Sequence, residues 1–166
     1  YHSFDIPVKI VRPFNTYGPR QSARAIIPTI ISQFLNEKKS IELGNLAPTR
    51  DLTYVADTCN AFMHIYNTDS LFGEVTNIGM NSEISIGDLT DLIANLMNAD
   101  ITIESSNERI RPKNSEVERL VCDNSKLMKY TSWKPEYSLE SGITEVIEWM
   151  KNSGNLTIYK AEQYNV

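Results

Sequence analysis

Between Pro7 and Arg12 apolar and polar residues alternate, with β-branched side chains among them, which predicts a strand. Asn15, Gly18 and Pro19 then break it into a loop. From Ala25 onward, Ile27, Ile30, Ile31, Phe34 and Leu35 recur at helical spacing, the apolar stripe of an amphipathic helix. Pro28 falls in its first turn, where a missing amide costs little. Ser40 to Gly44 and Asp51 to Val55 read as short strands around a loop of Asn45, Leu46, Ala47 and Pro48. Val55, Cys59, Phe62, Met63 and Tyr66 mark a second helix, and Glu74 to Gly79 a further strand.

The run Ser85-Ile86-Gly87-Asp88 has capping-box spacing, and Leu89, Leu92, Ile93, Leu96 and Met97 complete a third helix behind it. Asp100 to Glu104 alternates as a strand, while Glu108 to Glu118 is charged and irregular. Asp123 or Ser125 can cap a short helix through Tyr130. Trp133-Lys134-Pro135 must leave that helix, because the residue before proline disfavours the α region, and Trp133 is placed to anchor the exit in the core. Ser138 opens a last helix with Leu139, Ile143, Val146, Ile147 and Met150 inward, and the tail from Asn152 is polar. With no repeat or linker, a single mixed α/β unit is the economical reading.

Charge narrows the partners. Lys plus Arg number 16 against 21 Asp plus Glu, a net charge of −5, which argues against nucleic acid. No apolar run approaches the roughly 20 residues of a membrane span, so no membrane partner is expected. Cys59 and Cys122 stand far apart without a Cys-x-x-Cys or His/Cys cluster, so neither a disulfide framework nor a metal site is expected, and a reducing cytoplasmic compartment fits. The chain opens on Tyr1 rather than Met, which suggests part of a longer polypeptide.

Much catalytic chemistry is missing. The 7 glycines never form Gly-x-Gly-x-x-Gly or a Walker-type loop, and the 2 histidines leave little for nucleophilic or zinc chemistry. His64 reads as a packing or surface residue, and His2 carries no argument. Tyr130 and Lys134 match the spacing that pairs a proton-donating tyrosine with its lysine, but Pro135 directly after the lysine keeps both from one helical turn. What remains is a set of loop arginines: Arg12, Arg50, Arg109 and Arg111. Guanidinium forks donate in pairs to non-bridging phosphate oxygens, and loops from different parts of a chain can converge on one diphosphate. Taken singly, each is more often a solvated or salt-bridged surface residue.

Arg12-Pro13-Phe14-Asn15-Thr16-Tyr17-Gly18-Pro19-Arg20, Thr49-Arg50-Asp51-Leu52-Thr53-Tyr54-Val55-Ala56-Asp57 and Thr76-Asn77-Ile78-Gly79 resemble the extended short-chain dehydrogenase/reductases, the NAD-dependent nucleotide-sugar epimerases and dehydratases. Arg111-Pro112, Asp123-x-Ser125-Lys126, Trp133-Lys134-Pro135 and Leu139-Glu140-x-Gly142-Ile143 continue the family's order. Motifs that are weak singly gain weight by agreeing in order and spacing. The resemblance implies the C-terminal portion of a Rossmann-type α/β enzyme: a late parallel strand plus a smaller mixed α/β substrate-binding domain over residues 1–151, with residues 152–166 as tail. The NAD-binding turn and the catalytic Tyr and Lys would precede this portion, so no catalytic residue is expected in the chain, and a homodimeric parent enzyme stays open.

Carried over position by position, Asn15 matches the asparagine that contacts the sugar-nucleotide diphosphate, and Phe14 the neighbour whose backbone lies by the nicotinamide. Arg50 and Arg111 match the arginines that clamp the phosphates. Arg24, Ala25 and Ile26 occupy the loop that lines the nucleotide, and Ile41 to Leu43 the base-holding strand; Leu43 stands where relatives often carry an aromatic ring. Residues 113–119 look more like dehydratase-type members acting on amino-sugar nucleotides. Asp57 and Asp123 match recurrent family aspartates, although each reads from the residues as a helix cap. The implied ligand is a UDP-, dTDP-, GDP- or CDP-linked sugar. The alternative is a non-catalytic nucleotide-sugar-binding module or a truncated product, and a third reading is an interaction domain in which these loops only pack.

Overall fold

The computed structural model describes residues 1, 3–36, 40–100, 102–105, 117–157 and 159. Its first elements are β1 (Ile10–Pro13), β2 (Asn15–Tyr17), α1 (Ile26–Leu35), β3 (Ser40–Leu43), β4 (Thr49–Arg50), β5 (Leu52–Tyr54) and α2 (Val55–Asn67). There follow β6 (Val75–Ile78), β7 (Ile84–Ser85), α3 (Ile86–Met97), β8 (Thr102–Ser105), β9 (Arg119–Leu120), α4 (Ser125–Tyr130), α5 (Leu139–Lys151) and α6 (Ser153–Leu156). The first strand starts later than the alternation suggests, and its residues Pro7 to Lys9 are extended approach rather than ladder. The last helix, α6, rises in the tail, where the Asn152 side chain accepts from the Gly154 amide.

Packing divides the chain into two compact units, each assembled from separated stretches. The first takes Tyr1–Tyr17, Arg50–Glu83 and Leu120–Leu139; the second takes Gly18–Thr49, Ile84–Arg119 and Glu140–Val166.

In the first unit β1 runs parallel to β6, with Ile10 opposite Val75 and Pro13 opposite Ile78. β2 runs parallel to β5, with Asn15 opposite Leu52. α2 follows β5 directly and leads the chain on towards β6. Its core gathers Ala61, Ile65, Leu71, Ile78, Leu127 and Trp133, with Val11 packed against them. The residues that mark α2 in the sequence are not the ones it buries: Phe62, Met63, Tyr66 and Cys59 are exposed, while Asp57, Thr58, Ala61 and Ile65 face inward. Counting apolar residues alone misplaces the inner face because Asp57 and Thr58 are buried by hydrogen bonds rather than by hydrophobicity.

In the second unit α1 packs against α3, and β3 runs parallel to β8 from Ser40 opposite Thr102. This unit also holds the Ile84–Ser85, Thr49 and Arg119 portion of a sheet of order β7–β4–β9. The Gln33 side chain, 1% exposed, donates to the Glu42 carbonyl and accepts from the Glu42 amide, which satisfies the β3 backbone at that residue. Ser85 caps α3 by accepting from the Asp88 amide at 3.0 Å, as the capping spacing predicts. The Asp88 carboxylate accepts from the Ser85 hydroxyl at 2.6 Å rather than returning to the Ser85 backbone. α5 buries Ile143, Val146, Ile147 and Met150, the stripe expected of it. No helix among the described residues is long and apolar enough to cross a membrane.

Candidate functional site

The first unit brings together three of the residues singled out above. β1 ends at Pro13 and β2 begins at Asn15, so Phe14 is the hinge between two strand pairs, and its amide donates to the Ile78 carbonyl at 2.8 Å. Asn15 is half-buried and donates its side-chain amide to the carbonyl of Asp51 at 3.2 Å. Arg50, half-buried, is the residue immediately before that Asp51. Parallel pairing of β2 with β5 is what brings this asparagine and this arginine to one place. Arg12 is exposed and donates through Nε to Asn77 Oδ1 at 2.9 Å, and the Asn77 side-chain amide donates to the Asp123 carbonyl.

Asp51 is a functional candidate that the motif contains but sequence reasoning gives no role. It is 0% exposed, with Oδ1 accepting from the Met80 amide at 2.8 Å and Oδ2 from the Cys122 amide at 3.0 Å. Its backbone amide donates to the Leu120 carbonyl at 2.9 Å. Gly79 makes room for this arrangement, since a Cβ there would lie 2.3 Å from Cys122 Cβ and 3.3 Å from Asp51 Oδ1. Asn124 closes the same corner by donating to the Gly79 carbonyl at 2.8 Å. Burial pushes the Cys122 thiol up to about 12, with the Asp51 and Asp123 carboxylates adding to the rise and Arg12 opposing it. It is therefore a packed thiol and no nucleophile. The available signal for Asp51 is an acid directly before the apolar strand Leu52–Tyr54, a place where a charge survives only if hydrogen-bonded.

Asp57, expected as a helix cap, does something else. Tyr54 is the N-cap of α2, and Asp57 in the first turn reaches out to the segment after α4. Its Oδ1 accepts from the Glu136 amide at 2.8 Å and its Oδ2 from the Tyr137 amide at 3.1 Å. Trp133, 1% exposed, donates Nε1 to the Asp57 carbonyl, so the anchoring role expected of this tryptophan holds. Tyr54 meets Tyr17 edge to face and Tyr137 at a tilt, with centroids 5.6 and 4.4 Å away. Burial first, then Tyr54 and Asp57, raise the Tyr17 phenol, whose hydroxyl donates to the Leu139 carbonyl. Asp123 does act at a helix start, its carboxylate accepting from the Ser125 amide and held below the usual carboxylate range by that residue. His64 meets the Ser132 hydroxyl at 3.3 Å. Tyr130 is the last residue of α4 and Lys134 lies beyond its C-cap Thr131, so the two do not share a helical face.

The second unit holds the other expected residues. Arg24 is exposed, Ala25 is the N-cap of α1, and Ile26 is its first residue. Upstream, the Gln21 amide donates to the Gly18 carbonyl around Pro19 and Arg20, with Arg20 left-handed at φ 68. Ile41 and Leu43 are 0% and 1% exposed, so β3 turns these two side chains into the core, and Glu42 between them is exposed. Arg111, with Arg109, His2 and residues 113–116, lies outside the described residues. Among those described, no group of three His, Cys, Asp or Glu is placed to hold a metal ion.

The family model described as GDP-mannose 4,6 dehydratase matches residues 1–146. A Methanocaldococcus jannaschii relative, whose name assigns it provisionally as a UDP-glucose 4-epimerase, is 32% identical over 153 residues, covering 90% of this chain and 48% of its own. The solved dTDP-glucose 4,6-dehydratase of Bacillus anthracis, in complex with NAD, superposes with a TM-score of 0.82 at 28% identity, over 92% of this chain and 47% of that one. The UDP-glucuronic acid 4-epimerase of Bacillus cereus, in complex with UDP-glucuronic acid and NAD, gives 0.80 at 28% identity, over 90% and 47%. The chain spans about half the length of the curated relatives it matches.

Proposed function

Since the chain belongs to the GDP-mannose 4,6 dehydratase family of extended short-chain dehydrogenase/reductases, we propose that it is the nucleotide-sugar-binding part of an NAD-dependent epimerase or dehydratase. Residues 1–151 form that part and residues 152–166 its tail, in a cytoplasmic enzyme. In the proposed reaction a longer parent oxidises the sugar at C4 and then epimerises it, or eliminates water between C5 and C6.

The observation that supports this reading most is the bond from the Asn15 side-chain amide to the carbonyl of Asp51, the residue after Arg50. An amide and a guanidinium carried on adjoining backbone can both donate to the oxygens of a diphosphate. In the same reading Arg111 is the second arginine, Arg24 to Ile26 line the nucleotide, and the strand Ile41 to Leu43 borders the base. With two of its side chains buried, that strand would meet a base through Glu42 or main chain. These groups bind and orient the substrate; positioning of that kind supplies a large share of a barrier reduction.

NAD is bound in both solved relatives. In this reading Phe14 borders the cofactor by its backbone, while the sequence has no Gly-rich turn and Tyr130 and Lys134 are not on one helical face. This favours a chain that binds the sugar nucleotide and turns nothing over alone, and a keto-sugar product from chain, NAD and nucleotide sugar would overturn that statement.

Calorimetric titration with UDP-, dTDP-, GDP- and CDP-sugars, and with NAD separately, tests the reading. One nucleotide class binds, NAD does not, and Arg50→Ala weakens the binding by about tenfold or more, the worth of a charge-assisted hydrogen bond of roughly 1.5–3 kcal/mol. Absence of binding by the whole panel, or an Arg50→Ala affinity equal to that of the parent chain, sinks it.

A further inference from the structure

The carboxylate of Asp51 is 0% exposed, and a charge removed from water in this way persists only where its oxygens are hydrogen-bonded. Both oxygens are, yet by backbone amides from two different loops: Met80 after β6 and Cys122 after β9. The main chain of the same residue is held as firmly, its amide by the Leu120 carbonyl and its carbonyl by the side-chain amide of Asn15. One residue is thus fixed at four points, and two of the groups assigned to the diphosphate hang from it. Asn15 is bonded to it, and Arg50 precedes it, so the peptide unit that joins Arg50 to Asp51 is the one held by the Leu120 carbonyl.

We propose that Asp51 is a positioning residue, whose clasp on the Met80 and Cys122 amides sets Asn15 and Arg50 for a nucleoside diphosphate. The proposal rests on the nucleotide-sugar reading above. Gly79 belongs to the device, because only without a Cβ can Cys122 and the Asp51 carboxylate close over it. A residue needed only to join two loops would affect stability and leave the ligand groups alone.

Asp51→Asn keeps the shape and turns one acceptor oxygen into a donor that faces a backbone amide. Two readouts follow in the chain as it is: the ligand-free nitrogen resonances of the Asn15 side-chain amide and Arg50 Nε, and the dissociation constants for UDP, dTDP, GDP and CDP. Both resonances move, affinity for the bound diphosphate falls about tenfold, and in an Arg50→Ala background the same substitution costs less than threefold, because the share of its effect that passes through the arginine is gone. Unmoved resonances, or an undiminished loss in the Arg50→Ala background, overturn the proposal. If Asp51→Asn does not fold, Gly79→Ala combined with Cys122→Gly moves the Cβ across the corner and crowds the retained carboxylate, with the same outcomes expected. Movement of both resonances in a chain that binds no nucleoside diphosphate sinks the nucleotide reading and supports the positioning.

Discussion

A thiol raised by burial reports on packing as directly as any core side chain. Cys122 is fully buried and pushed up to about 12 from an ordinary 9.0, whereas Cys59 on α2 is exposed. A thiol reagent at pH 8 therefore modifies the exposed Cys59 in the folded chain and reaches Cys122 only when the first unit opens, which mass spectrometry of the labelled peptides reads directly. The pH dependence has a definite sign. Between the ordinary and the raised value the folded chain holds a proton that the unfolded chain has lost, so this contribution is fully present below pH 9 and is lost as pH rises toward 12. Urea midpoints taken between pH 8 and 10.5 should fall more steeply for the parent than for Cys122→Ala. Equal slopes would show the thiol to be hydrated. The motifs containing Arg50 and Asn15 are legible in the sequence, but the work of Asp51 is not. Its partners are Met80, 29 positions away, and Cys122, 71 positions away, and both give backbone amides that any residue type would carry.

Elements whose ends are set locally are legible; those whose faces are set by tertiary hydrogen bonds are less so. α3 belongs to the first kind. Its Ser85 cap and the left-handed Asn98 at its far end, φ 51, both act within a few residues of the helix, and its buried Leu89 and Ile93 follow the stripe. Ser85→Ala removes the acceptor of the Asp88 amide and should lower stability by about 1 kcal/mol. For a chain of this size that is roughly 2–4 °C in melting temperature, with the urea m-value unchanged because the surface exposed on unfolding is the same. A loss under about 0.3 kcal/mol would mean that water replaces the hydroxyl without penalty. α2 belongs to the second kind. Its length is legible, but its inner face is chosen by the bonds of Asp57 to the amides of Glu136 and Tyr137 and by the Trp133 indole on the Asp57 carbonyl. Nothing within α2 announces a segment that far along the chain.

At the scale of the whole chain, the hydrophobic residues that carry stability and those that do not can be told apart only in the structure. Met63 and Tyr66 on α2 are 57% and 77% exposed, and Ile6, Val8 and Ile10 approaching and entering β1 are exposed as well. A parallel strand is ordinarily covered on both faces, so apolar side chains at this strand and helix lie outside the core that the described residues build. The sequence pattern puts Met63 and Tyr66 on the helix stripe and leaves out Ile65, which is 2% exposed and packed with Ala61 and Leu127. The two classes should respond oppositely to substitution. Met63→Lys with Tyr66→Lys leaves the free energy of unfolding within about 0.5 kcal/mol of the parent, since exposed positions away from special features contribute little and lysine suits a helix at least as well as tyrosine. Ile65→Ala costs about 2–5 kcal/mol through lost burial and the cavity left behind. Denaturant unfolding of the two variants makes the comparison, and binding of an apolar dye to the folded chain should fall in the lysine pair while rising in Ile65→Ala as its core loosens. A large destabilisation by the lysine pair would place Met63 and Tyr66 within a packed surface and overturn the division of α2 into a covered and an uncovered face.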